Sequence, residues 1–305
     1  MFISVVILTH NHALLLKDCL ESLLKQDFLK TRFEIIVVDD GSTDNTSFVV
    51  KNFNVRYFYQ KHSGVSVARN NGLRKAKGDI ICFIADDYEL PYNYLKTIDH
   101  FFKKNKYFDV LSFTIVAKTK SFWSQINDLH YKTRLKGTLN TVHNKYLKFF
   151  IHRYQTDNFF PAEGAAAYRR RIFSKIGFFD ESLLCLEDLD FAIRLGINDF
   201  KHYKSDVKVF RSNNASLYYS LKSHFFKGKA FFPLKKKWGS RFKPFLKTNF
   251  VGVLTVFFAT PFLSLIRLVK LPFFKRIIVF IFMLAYDYSF FLGYLIAYIN
   301  SFKKL

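Results

Sequence analysis

The chain has 305 residues, half of them apolar, with 39 Phe and 17 Tyr. That length and composition provide for a full hydrophobic core and exclude a disordered chain. The formal charge is +23, but from Lys201 onward 19 basic residues stand against only Asp206 and Asp287, so the basic balance belongs to the C-terminal third and the rest is an ordinary globular domain.

Taken in chain order, "ISVVIL" is a β-rich apolar run without the basic region or cleavage site of a signal peptide, and it is read as a buried strand. "LLLKDCLESLLKQ" places Leu16, Leu20, Leu23 and Leu24 at helical spacing. "FEIIVVD" predicts a second strand, "TDNTSFVVKNF" a helix with Asp44 at its N-cap, and "VRYFYQ" a third strand. "SVARNNGLRKAKG" predicts a helix closed by Gly78, followed by the buried strand "DIICFIA". Continuous apolar strands alternating with helices imply a mostly parallel, Rossmann-like α/β sheet covered on both faces. Ligands of such sheets sit beyond the carboxyl ends of the strands, where Asp39, Asp40, Asp86 and Asp87 all fall.

Further on, "DVLSFTIVA" and "VKVF" read as strands, "SFWSQINDLHYKTRL" as a helix with acceptor-side contacts, and "LEDLDFAIRLG" as a helix with Asp190 and Arg194 paired at i and i+4. Cys19 and Cys82 lie in apolar patterns and read as core, and nothing marks Cys185 as a nucleophile. With no CxxC or Cys/His cluster, the cysteines suggest neither structural zinc nor a disulfide framework, and they fit a reducing compartment.

From Leu221 the composition shifts. Residues 221–247 hold nine basic residues, no acidic ones and seven Phe or Trp. Two apolar segments follow, Thr248 to Ile266 with Pro261 inside it and Ile277 to Phe302 with Asp287 inside it. Each has about the 20 residues a bilayer crossing needs.

Four stretches, "VVILTHN", "VVDDGSTDNT", "GVSVARNNGLRKAKGDIICFIADD" and "GFFDESLLCLEDLDFAIRL", resemble in order the motifs of the family 2 glycosyltransferases. The resemblance spans about residues 2–215 and implies the A-type glycosyltransferase fold and a nucleotide-sugar donor, a UDP-sugar in the first instance. It implies that Asp40 accepts the imide N–H of the base with Asp39 close by, that Thr9 and His10 line the same pocket, and that Asp86 contacts the sugar or ribose. By the same resemblance Asp87 holds Mg²⁺ or Mn²⁺, a Lewis acid for the departing diphosphate, and Arg69 contacts that diphosphate. Asp188, with Glu187 beside it, is implied as the base that deprotonates the acceptor hydroxyl in an inverting transfer. Many relatives carry an acidic residue where Ala85 stands, and a histidine where Arg211 stands; Arg211 could bind phosphate instead. The small residues of "FPAEGAAAYRR" would let the backbone approach the sugar.

Each acidic pair also has a plainer reading. Asp39 and Asp40 could cap a turn before Gly41, Asp86 and Asp87 could belong to an ordinary loop, and Glu187 and Asp188 could cap a helix.

The sequence thus divides into a catalytic domain of residues 1–220 (a nucleotide-sugar half, 1–107, and an acceptor half, 108–220), a basic aromatic interfacial segment, 221–247, and membrane-associated helices, 248–305, possible as a two-helix hairpin or as an in-plane arrangement. Basic residues and aromatics beside apolar segments fit an anionic membrane surface, at its cytoplasmic face, better than nucleic acid. The function expected is a metal-dependent inverting glycosyltransferase acting on a lipid-linked or glycan acceptor in surface glycan synthesis. The alternatives are a non-catalytic, membrane-bound nucleotide-binding module, which Ala85 and Arg211 favour, and a basic nucleic-acid binder.

Overall fold

The computed structural model describes residues 1–118, 164–183, 185–212, 216–238 and 273–302. They form two compact units, a sheet unit of residues up to 212 and a helical unit from 216 onward.

The sheet unit opens with β1 (Ile3–Thr9), α1 (Ala13–Leu24), β2 (Phe33–Asp40), α2 (Thr46–Val50), β3 (Arg56–Gln60), α3 (Val65–Lys75) and β4 (Ile80–Ala85). It continues with β5 (Tyr88–Glu89), α4 (Tyr94–Lys104), β6 (Val110–Ala117), β7 (Ala165–Arg169), α5 (Arg171–Ile176), α6 (Glu187–Ile197) and β8 (His202–Arg211). The strands form one sheet in the order β3-β2-β1-β4-β7-β6-β8-β5. β3, β2, β1 and β4 run parallel, β7 is antiparallel to β4 and β6, β6 and β8 are parallel, and β5 closes the edge antiparallel to β8.

The continuous apolar runs arise because both faces are covered. Val5, Ile7, Ile35, Val37, Cys82 and Ile84 face one core with α1 and α4. Their alternates Val6, Ile36, Val38, Ile81 and Phe83 face a second core with α3, α5 and α6. In that second core Phe191 stacks on both Phe173 and Phe179, and Phe83 meets Phe179 edge-on at 5.4 Å.

Two predicted helix ends differ. α3 stops at Lys75, with Ala76 as its C-cap, and Gly78 instead lies flat against β1, where a Cβ would come within 2.5 Å of the Ser4 nitrogen. Asn45, not Asp44, holds the N-cap position of α2. Asp44 still takes the Thr46 N–H with one carboxylate oxygen at 3.0 Å, while the other takes the Ala13 N–H of α1 at 3.1 Å.

Among the described residues the helical unit holds α7 (Leu217–Trp238) and α8 (Phe273–Phe302). α7 takes in most of the basic aromatic segment and α8 the second apolar segment. The first apolar segment and the helix expected in "SFWSQINDLHYKTRL" lie outside the described residues.

Candidate active site

The register of the parallel strands builds the site. Thr9 pairs with Asp39, and Leu8 with Ala85, so β2, β1 and β4 end at one level. Asp39 and Asp40, Thr9 and His10, and Asp86 and Asp87 therefore share one rim, and all four carboxylates are buried.

Each carboxylate has partners. Asp39, 1% exposed, accepts the Ser42 N–H at 2.8 Å and the Tyr57 hydroxyl at 2.6 Å. Burial and this hydrogen bond hold the Tyr57 proton far above the usual phenol range. Asp40 accepts from Gln60 Nε2 at 2.7 Å and from the Ser63 and Gly64 N–H groups at 2.8 and 3.0 Å. His62 Nδ1 lies 2.9 Å from its remaining side. With about four acceptor sites on a carboxylate, Asp40 is nearly saturated by the loop it anchors, whereas Asp39 keeps acceptor capacity.

His10, in the β1–α1 loop, packs against that loop. Its Nδ1–H donates to the Asp40 carbonyl oxygen at 2.8 Å, and its ring packs on that of His62 with centroids 4.4 Å apart. Gly41 permits this approach: its φ is +82°, and a Cβ would come within 2.6 Å of the His62 nitrogen. Asn11, itself at φ +56°, ties the β1–α1 loop to the β2–α2 loop by accepting the Thr43 N–H at 2.7 Å. The Thr9 hydroxyl is buried with no hydrogen-bond partner among the described residues.

Asp86 and Asp87 each face a basic side chain. His12 Nδ1, at the N-cap of α1, lies 3.1 Å from Asp86. That hydrogen bond, with the fields of Asp86, Asp87 and Asp44, raises the His12 pKa against the opposing effect of burial. Arg211 Nε donates to Asp87 at 2.8 Å. Arg211 reaches that point because β5 pairs with β8, with Tyr88 opposite Arg211, and the Ser212 N–H donates to the Asp87 carbonyl at 2.8 Å.

Glu187 and Asp188 open α6, as expected. Leu186 before them adopts the left-handed conformation at φ +64°, a strained geometry for a branched side chain. Glu187 is buried and ion-paired with Arg69 of α3, and Arg69 lies 5.1 Å over the Phe179 ring. Burial, first, holds the Glu187 carboxyl above its ordinary range, with Asp188 adding to the effect and Arg69 opposing it. Asp188 accepts the Leu189 N–H at 2.7 Å. The predicted ion pair of Asp190 with Arg194 is present at 2.9 Å.

Asn70 fastens the loop leading to α6. Its side chain donates to the Phe179 carbonyl at 2.9 Å and accepts the Phe179 N–H at 3.0 Å. Ser66 Oγ adds a bond to the Leu183 carbonyl at 3.1 Å. The alanines of "AAAYR" are buried core residues of β7, while residues 160–163 lie outside the described set.

The roles of His12, Asn70 and Tyr57 are absent from the sequence reading. "ARNNG" was the only local hint of the second. Lys61 is exposed.

Among the described residues no three His, Cys, Asp or Glu side chains gather to hold a metal by themselves. Mg²⁺ and Mn²⁺ ordinarily take only one or two carboxylates and fill the shell with phosphate oxygens and water. The guanidinium on Asp87 shows that positive charge is stabilised at that oxygen, so the donor set fits such an ion.

A family model, "Glycosyl transferase family 2", matches residues 4–177, more than half of the chain. The chain belongs to the family 2 glycosyltransferases. Similar proteins include the uncharacterized glycosyltransferase YibD of Escherichia coli, 39% identical over 98 residues, which are 30% of this chain and 28% of that protein. The poly(ribitol-phosphate) beta-N-acetylglucosaminyltransferase TarS of Staphylococcus aureus is 39% identical over 92 residues, 28% of this chain and 16% of TarS. The GalNAc(5)-diNAcBac-PP-undecaprenol beta-1,3-glucosyltransferase of Campylobacter jejuni is 37% identical over 103 residues, 32% and 33% of the two chains. The matched stretch thus spans a third or less of the length of each of these relatives.

Among solved structures, the mannosyltransferase PcManGT of Pyrobaculum calidifontis, in complex with GDP-Man and Mn²⁺, aligns over 98% of this chain and 87% of its own, with TM-score 0.62 and 16% identity. S. aureus TarS 1–349 aligns over 99% and 92%, with TM-score 0.54 and 18% identity. These likenesses establish the fold, a glycosyltransferase A fold built on a mixed sheet.

Proposed function

We propose that this chain is a metal-dependent, inverting glycosyltransferase that moves a sugar from a nucleotide donor to a lipid-linked or glycan acceptor in surface glycan synthesis. The observation carrying the reading is the shared rim of Asp39, Asp40, Asp86 and Asp87, produced by the register of β2, β1 and β4. Buried carboxylates at strand ends are costly, and four exceed what the turns require.

In this reading the base N–H goes to Asp39, which has acceptor capacity left, and not to Asp40 as the resemblance implied, because Asp40 is occupied by the loop it shapes; Thr9 and His10 line the same pocket. Asp86, oriented by His12, contacts the sugar or ribose. Asp87 would hold Mg²⁺ or Mn²⁺, which supplies charge neutralisation for the leaving diphosphate. Asp188 at the N-terminus of α6 removes the acceptor proton. Glu187 and its partner Arg69 keep that helix end in place, so the diphosphate contact expected of Arg69 requires it to share its guanidinium. PcManGT holds GDP-Man with Mn²⁺, and the Campylobacter relative acts on an undecaprenol-linked glycan; both support the donor, metal and acceptor classes proposed here. A UDP-sugar remains the favoured donor. The proposed location is the cytoplasmic face of the cell membrane, with residues 1–220 as the catalytic domain.

Calorimetry with a panel of UDP-, GDP- and dTDP-sugars, with and without Mn²⁺, tests the reading. Metal-dependent binding of one class, weakened at least tenfold in Asp39→Ala and Asp87→Ala, is expected. Asp188→Asn should keep donor binding and lose turnover. A folded protein that binds none of these donors under any metal condition would favour the non-catalytic module, for which the neutralised state of Asp87 on Arg211 is the supporting observation.

A further inference from the structure

The helical unit carries a geometry that decides how it can meet a membrane. α8 contains a 22-residue apolar stretch, Phe280–Ser301, whose most apolar 18 residues have a mean hydropathy of 1.6, long enough to cross a bilayer. α7 packs beside this stretch, and the contacts fix its direction. The Leu221 carbonyl accepts from Ser289 Oγ at 2.7 Å. His224 stacks on Tyr286 with ring centroids 4.7 Å apart, and Phe232 meets Tyr294 and Tyr298. Lys235 Nζ donates to the Tyr294 hydroxyl at 3.1 Å. Partners rise together along both helices, so the helices run parallel and side by side for about four turns. Two glycines make the approach close: a Cβ on Gly228 would strike the Phe290 carbonyl oxygen at 1.9 Å, and one on Gly293 the Phe225 carbonyl oxygen at 2.0 Å.

The outward faces of the two helices differ. Ile281, Tyr288, Leu292 and Ile299 of α8 are 47–55% exposed. At 3.6 residues per turn they fall within an arc of about 40°, opposite the side that meets α7. On α7, Lys222, Lys236 and Lys237 are exposed. The helix as a whole holds six lysines and no acidic residue.

Were α8 to cross a bilayer, α7 would lie at the same depth along it, with its lysines in hydrocarbon. Insertion disfavours a central lysine by roughly a hundredfold each. We infer that the α7–α8 pair lies in the plane of an anionic membrane surface, with the Ile281–Ile299 stripe of α8 among the upper acyl chains and the lysines of α7 at the phosphates. The helix axes of a packed pair lie about 8–10 Å apart, which matches the depth difference between shallowly buried apolar side chains and lipid headgroups. Exposed Tyr218, Tyr219 and Phe226 on α7 suit that interfacial level. This inference deepens the membrane association proposed above and is independent of the transfer reaction.

The test uses the full chain bound to phosphatidylcholine vesicles with and without phosphatidylglycerol. An environment-sensitive label is placed on single cysteines at Ile281, Leu292 or Ile299 in a Cys185→Ala background, Cys19 and Cys82 being buried. Quenching by lipids brominated at known depths then reports the position of each label. All three labels at one shallow depth is the expected result. K222Q/K236Q/K237Q should weaken partitioning into anionic vesicles by about 100-fold, at roughly fivefold per lysine charge lost. Depths that progress steadily from 281 to 299 would overturn the in-plane geometry while leaving membrane association intact. Failure of the unmodified chain to bind either vesicle would overturn both.

Discussion

Replacing Arg69 with methionine asks whether one buried ion pair holds α6 against the sheet. Arg69 and Glu187 lie 118 residues apart in sequence, and their side chains are only 12% and 6% exposed. Methionine keeps the aliphatic bulk over Phe179 and removes the charge, leaving the Glu187 carboxylate buried without its cation. Breaking such a pair from one side costs about 3–5 kcal/mol. For a unit of this size that lowers Tm by roughly 6–20 °C. Arg69→Met/Glu187→Leu removes both charges and should recover most of the loss, because the pair repays little beyond its own desolvation. The pH dependence carries a definite sign. Burial raises the Glu187 pKa above 4.5 in the folded state, so its protonated form favours folding. That contribution is complete below pH 4.5 and is lost as pH rises through the raised value. Without Arg69 the folded-state pKa rises further, so the Arg69→Met defect should be larger at pH 8 than at pH 5. Urea melts of the full chain at both pH values supply the numbers. A single variant that loses less than about 1 kcal/mol, or a double variant as unstable as the single, would refute the assignment of a structural ion pair.

Asn70→Ala strands both the N–H and the carbonyl of Phe179 in a buried place and should cost about 2–6 kcal/mol by the same melts, since each unsatisfied group costs 1–3. Gly72→Ala would place a Cβ 2.3 Å from Val6 Cγ1; despite the better helix propensity of alanine, overpacking should cost about 1–3 kcal/mol, and adding Val6→Ala should relieve the clash at the price of a cavity. Tyr57→Phe removes one hydrogen bond to Asp39 and should cost about 1 kcal/mol of stability with little effect on unfolding cooperativity. Arg211→Gln takes away the guanidinium that occupies Asp87, so Mn²⁺ measured by calorimetry should bind about tenfold more tightly, as expected when a nearby like charge is removed.

The strands were legible because of how they are buried. β1, β2 and β4 are covered on both faces, and a strand covered on both faces has no polar positions to interrupt its apolar run. β7 gave no such signal. "AAAYR" has no β-branched residue, and it becomes a strand only because β4 and β6 pair with it from either side, a tertiary effect that overrides propensity. The helix ends misread at Gly78 and Asp44 share a cause. Glycine and aspartate signal local punctuation, yet here the first is required by contact with β1 and the second bridges two helices. The acids of the site were legible because parallel strands deliver their carboxyl ends to one rim. Their basic partners were not. His12 comes to Asp86 across 74 residues, Arg211 to Asp87 across 124, and Arg69 to Glu187 across 118. No local pattern encodes such pairings, since each depends on where two separate elements end in the folded sheet. The chemical individuality of the acids rests on those partners. Asp40 is consumed by the loop it organises and Asp39 keeps acceptor capacity, whereas Asp87 is held by a half-exposed guanidinium that a cation can displace. Adjacent aspartates identical in sequence thereby become groups with different work to do.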